Sequence, residues 1–121
     1  MDVNTLVGKT LISVTNIDDE VLQFKTDTGE TYALFHEQDC CEIVDIESIV
    51  GELADLVGSP ILLAEEVVSN ENPEDAELDL QDQDSFTWTF YKFATIKGYV
   101  DVRWYGESNG YYSESVTFNR V

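Results

Sequence analysis

Hydrophobic and polar positions alternate along most of this chain, and the alternation predicts strands. Thr10–Thr15 (Thr-Leu-Ile-Ser-Val-Thr) is rich in β-branched residues, which favour an extended backbone. A polar turn, Asn16–Glu20, leads into a second strand, Val21–Thr26. Thr28-Gly29 supplies hairpin chemistry because glycine accepts positive φ, and Thr31–His36 follows as a third strand. Period-two geometry puts Tyr32, Leu34 and His36 on one side of it and Ala33 and Phe35 on the other.

The period then changes. Ile46, Ile49, Val50, Leu53, Leu56 and Val57 recur at helical spacing, with Glu47, Glu52 and Asp55 turned away. Asp45 is suited to cap the start, since its carboxylate can accept free backbone N–H groups. Gly58 and Pro60 are suited to end the helix. Gly51 inside it would cost about 1 kcal/mol relative to Ala, which marks a close approach to a neighbouring strand. Ile61–Val68 predicts a strand buried on both faces in its first half. Ser69–Ser85 differs in kind: it carries Glu71, Glu74, Asp75, Glu77, Asp79, Asp82 and Asp84 with few apolar residues, the composition of a flexible acidic loop. Phe86–Ile96, Tyr99–Tyr105 and Tyr111–Arg120 predict aromatic strands, with turns at Lys97-Gly98 and Asn109-Gly110. No repeat or domain boundary interrupts the chain. The expectation is one α+β domain over residues 1–121, with 69–85 as its acidic flexible loop. An antiparallel β-sheet of roughly six to eight strands would carry one main helix packed on it.

Charge changes the picture from fold to partners. There are 25 Asp and Glu against 6 Lys and Arg in 121 residues, a net charge of −19. Such a field repels nucleic acid and anionic membranes and attracts basic surfaces. It fits a solubility coat, a surface that competes with nucleic acid for a basic groove, or an adaptation to acid or salt. No apolar run approaches the roughly 18 residues that span a bilayer, and the first residues lack a signal-peptide pattern. The expected location is therefore the cytoplasm. The only two cysteines, Cys40 and Cys41, are neighbours. A bridge between them would close a strained ring, so free thiols in a reducing compartment are expected.

The same segment carries the candidate chemistry. Phe35-His36-Glu37-Gln38-Asp39-Cys40-Cys41-Glu42 holds the single histidine close to both cysteines. Imidazole nitrogen and thiolate sulfur are favoured zinc ligands. A turn after the third strand would bring His36 and Cys40 to one ion, with Cys41 joining if the strand alternation breaks. Glu65 is preferred as the fourth ligand, because three successive ligands ending at Cys41 would be sterically awkward. Glu66 and Asp39 remain alternatives. Spacing alone fits buried bystander thiols better than a metal site, and fits a thiol nucleophile with His36 as its base less well, because His36 would have to fold back onto a cysteine. No Gly-rich phosphate loop or Ser-His-Asp arrangement is present. The aromatic runs Phe86–Phe93 and Arg103-Trp104-Tyr105 suit cross-strand packing better than base stacking, because Lys92, Lys97 and Arg103 offer only a small local positive charge.

Four strings resemble a family of small acidic proteins encoded by phages and prophages of Gram-positive bacteria. They are Phe35-His36-x-Gln38-Asp39-Cys40-Cys41-Glu42, Gly58-Ser59-Pro60-Ile61-Leu62-x-Ala64-Glu65-Glu66, Thr87–Gly98 and Arg103–Ser113. The chain is also similar to zinc-containing anti-CRISPR proteins directed at a type II effector nuclease. The resemblance implies a zinc site at His36, Cys40 and Cys41, with the fourth ligand left as above. It further implies a non-enzymatic inhibitor that blocks nucleic-acid loading by a host CRISPR effector nuclease or another basic nucleic-acid-handling protein, without touching nucleic acid or membrane itself. The alternative is a metal-free acidic mimic of nucleic acid that inhibits another host defence enzyme. A small metal-dependent or thiol enzyme is the third class.

Overall fold

The structure is a computed structural model and describes residues 1–71 and 85–121. The acidic segment read from the sequence at 69–85 lies mostly outside the described residues. Eight strands are present among the described ones: β1 (Leu11–Ile17), β2 (Val21–Thr26), β3 (Thr31–Phe35), β4 (Ile43–Val50), β5 (Leu63–Ser69), β6 (Ser85–Thr95), β7 (Gly98–Ser108) and β8 (Thr117–Arg120). They form two four-stranded antiparallel sheets, ordered β1-β2-β3-β8 and β4-β7-β6-β5. Two short 3-10 turns, Val3–Leu6 and Leu53–Leu56, are the helical elements among the described residues. No helix there is long and apolar enough to cross a membrane.

The two sheets share one core. Leu22, Phe24, Tyr32, Leu34 and Phe118 come from the first sheet; Ile46, Tyr91, Phe93, Val100, Val102 and Trp104 come from the second. Phe24 and Phe93 meet with ring centroids 5.4 Å apart, joining the layers. Alternation along β6 and β7 sends every second residue inward, as expected for sheets packed face to face. Each such large side chain contributes about 1.5–3 kcal/mol when fully buried.

The α+β expectation is overturned: the fold is mostly β, and the region read as the main helix is strand β4 followed by a 3-10 turn. Five of the eight residues of Ile43–Val50 are Ile or Val, which suit an extended backbone. Pairing of β4 with β7 slips by one residue between Ile46 and Ser48. That bulge lets Ile46 and Ile49, three apart, both pack on the core. Leu53 and Leu56 repeat the same interval within the 3-10 turn. A bulge and a tight turn thus reproduce a helical period. Asp45 lies within the strand and caps nothing.

The other elements differ in detail. Leu62, expected to be buried, is 58% exposed. The segment Tyr111–Arg120 becomes a strand only from Thr117, and β8 crosses to pair with β3 instead of β7. At the β1–β2 turn, Asp18 and Asp19 adopt positive φ of 55° and 60°. The Asn16 side chain accepts from Asp19 N–H at 3.0 Å and donates to its carboxylate at 2.8 Å. The Asp19 carbonyl then accepts the Ile46 N–H at 2.7 Å, tying this turn to the bulge of β4.

Candidate functional site

Residues 36–42 connect β3 to β4 and therefore bridge the two sheets. His36 continues the inward side of β3, after Tyr32 and Leu34, so its imidazole is only 4% exposed. Its Nδ1 lies 2.7 Å from the Ser115 carbonyl oxygen, and its Nε2 lies 3.0 Å from Oε2 of Glu42. Both neighbours are acceptors, so each ring nitrogen is placed to donate.

Glu42 is the centre of the turn. Its side chain is fully buried. Oε1 accepts from Cys40 N–H at 2.8 Å and Gln38 Nε2 at 2.9 Å, while Oε2 accepts from Asp39 N–H at 3.1 Å and from His36. Gln38 also donates to the Glu42 carbonyl at 2.7 Å. Burial alone would raise the Glu42 pKa. The donors, chiefly Cys40 N–H and His36 with the backbone N–H groups of Glu42 and Asp39, outweigh it and hold the carboxyl at about 2. The sequence offers nothing to separate Glu42 from the other acidic residues, beyond its place six positions after the lone histidine.

The residues expected to bind zinc are placed as follows. Cys40 and Cys41 are joined to one another as a disulfide between chain neighbours, instead of standing as free thiols. Both residues are exposed. His36 has both nitrogens engaged. Asp39 contributes its backbone N–H to Glu42. Glu65 lies on β5, separated from β4 by β7 and β6, about 14 Å at the usual strand spacing. Its neighbour Glu66 accepts the Tyr91 hydroxyl at 2.7 Å. Among the described residues no group of three or more His, Cys, Asp or Glu is arranged to hold a metal. As placed, these residues do not fit a zinc ion.

A second buried carboxylate, Glu114, lies in the segment before β8. Glu114 accepts from Thr87 Oγ1 at 2.7 Å, Ser108 Oγ at 2.5 Å and Ser85 Oγ at 3.2 Å. Its chain neighbour Ser115 supplies the carbonyl that faces His36. The segment before β8 is therefore anchored at two successive residues, once to the β6–β7 hairpin and once to the turn. A Cβ at Gly106 would lie 2.9 Å from the Glu114 Cβ and from its carbonyl oxygen, which explains a glycine near the end of β7.

This architecture spans a match to the family described as a domain of unknown function (DUF7448), over residues 4–118. The chain belongs to that family. No curated protein and no solved structure matches it. The DUF7448 match includes both sheets, the 36–42 turn and Glu114. The aromatic residues outside the main core behave as packing: Trp88 is fully buried, with Tyr105 at 4.7 Å and Phe90 at 6.5 Å between centroids, and the Arg103 guanidinium lies 5.1 Å from its ring. Burial, then the bond to Glu66, raises the Tyr91 pKa; burial, then Glu107, raises that of Tyr105.

Proposed function

We propose that this protein acts by binding, as an acidic domain that occupies a basic surface on a nucleic-acid-handling protein and so keeps nucleic acid from it. The carrying observation is how its few cations are used. Lys9 and Arg120 both pair with Glu30, at 3.2 and 3.6 Å, and Arg103 pairs with Glu47 at 2.5 Å. Lys97 donates to the Val57 carbonyl at 2.6 Å, and Lys92 lies 5.6 Å from the Tyr99 ring centroid. Five of the 6 basic residues thus have internal partners, in a chain whose net charge is −19. Binding is favoured over catalysis because the chemical groups of the turn are committed to one another. Glu42 takes four donors and His36 two acceptors, leaving neither poised as a general base.

The resemblance to phage-encoded inhibitors makes a host CRISPR effector nuclease the first partner to test, in a metal-free form of that reading. RNA-guided nucleases hold nucleic acid in positively charged channels. The test is association with such an effector, alone and loaded with nucleic acid, at two ionic strengths. The expected result is binding to the unloaded effector that weakens steeply with salt and lowers target-DNA loading. Binding that is indifferent to salt and to prior loading would overturn the proposal.

A further inference from the structure

The first sheet carries an apolar groove on its outer face, at the end where His36 leaves β3. Leu22, Phe24, Tyr32 and Leu34 point to the core, so the alternate residues Val21, Gln23, Ala33 and Phe35 point away from it, with Gln23 paired opposite Ala33. A solvent-facing sheet surface is ordinarily polar. Here Val21 and Phe35 are directly paired across β2 and β3, and Ala33 is only 4% exposed despite facing outward. The chain returning towards β4 walls off this strip, leaving a groove of about 680 Å³ with Glu20 and Asp45 among its lining. That volume lies in the range of ligand sites. No lysine or arginine lines it. His36 also lines it, with both ring nitrogens already engaged by Ser115 and Glu42.

A lining that sets Val21, Ala33 and Phe35 in one groove with Glu20, Asp45 and Gln23 suits a side chain that is apolar along its stem and cationic at its head. We propose that this groove receives an arginine side chain of the basic partner. The stem and guanidinium plane lie along Ala33 and Phe35, and the N–H groups reach Glu20 and Asp45. Arginine fits better than lysine because its planar head stacks on an aromatic ring while donating to two carboxylates at once. The inference rests on the basic-partner reading and gives it an anchor point. The tether between Asp19 and Ile46 holds the backbone of the neighbouring Glu20 close to β4 and Asp45 before binding.

The test is backbone NMR of the full chain titrated with a capped tetra-arginine peptide and, separately, a capped tetra-lysine peptide at low salt. The expected result is shift changes concentrated at Val21, Ala33, Phe35 and Asp45. Arginine should bind more tightly than lysine, and a Glu20→Gln/Asp45→Asn variant that keeps the wild-type spectrum elsewhere should bind at least tenfold more weakly. Binding of equal strength in that variant, with shifts on other faces, would overturn the groove and leave the basic-partner reading standing. Absence of any response to either peptide would overturn the groove and weaken that reading as well.

Discussion

Nε2 of His36 lies 3.0 Å from Oε2 of Glu42, and the two side chains are only 4% and 0% exposed. This pair, with the Ser115 carbonyl behind the imidazole, ties the β3–β4 turn to the start of β8. Replacing Glu42 with Gln keeps the shape but removes the charge and gives one carboxylate oxygen's place to an amide donor facing other donors. A lowering of the melting temperature by roughly 5–10 °C is expected, because hydrogen bonds to a charged group are lost in a buried setting. Thermal unfolding by circular dichroism reads it.

The same residue sets a pH dependence. The folded carboxyl sits at about 2 against an ordinary 4.5, so folding favours its ionised form. The stabilisation is complete above pH 4.5 and is lost as pH falls through about 2. The gap in melting temperature between wild type and Glu42→Gln should therefore be widest near neutrality and close between those two values. A gap that stays constant down to the lower value would mean that the Glu42 charge contributes nothing.

The cysteines are predicted to matter less than their position in the turn suggests. Cys40 supports Glu42 through its backbone N–H, which any residue but proline provides. Both cysteines are exposed. Cys40→Ser with Cys41→Ser removes a bridge between chain neighbours, which closes almost no loop in the unfolded chain, so stability should change by under about 1 kcal/mol. Zinc content measured on reduced wild type should fall well short of one ion per chain, and a chelator should leave the melting temperature unmoved. One tightly held zinc per chain, lost in the double variant, would restore the ligand set read from the sequence.

Glu114 offers a separate check on the second anchor. Thr87→Val removes the 2.7 Å bond to its carboxylate while keeping a β-branched side chain of similar volume in β6. A loss of about 1.5–3 kcal/mol is expected from urea denaturation, the range for hydrogen bonds to charged groups. Ser85 and Ser108 remain as donors, which favours the lower end.

The strands were legible where period two was unbroken. Val21–Thr26 coincides with β2, and Thr31–His36 overruns β3 by one residue. Residue types also drew attention to the 36–42 segment, since a lone histidine near paired cysteines stands out. Glu42 did not stand out, because its importance comes from burial and four converging donors in a chain with 25 acidic residues. Nor could the destination of β8 be read. Asn109-Gly110 signals a local reversal, whereas β8 pairs with β3 and the segment before it is held by long-range bonds at Glu114 and Ser115.

Gly51 separates the helical and extended readings of the 46–57 region by the sign of one substitution. Inside a helix, Gly51→Ala would stabilise the protein by about 1 kcal/mol, because alanine loses less backbone freedom on folding. In the structure Gly51 follows β4 with φ of +105°, a region that side chains disfavour. A Cβ there would sit 2.5 Å from the Tyr99 carbonyl oxygen, with Val100 Cα at 3.3 Å behind it. Those are backbone atoms of the paired strand β7, so neither can swing aside as a flexible side chain would. The close approach expected from the sequence is therefore real, but it belongs to a strand end. Strain of this kind costs about 1–3 kcal/mol for the dihedral alone, and the clash adds to it. Gly51→Ala should lower stability by at least about 2 kcal/mol in urea denaturation. Hydrogen exchange should show the loosening first in β4 and at Tyr99 and Val100, with the β1–β2 hairpin less affected. A stabilised Gly51→Ala protein would contradict the extended assignment and return this segment to a helix.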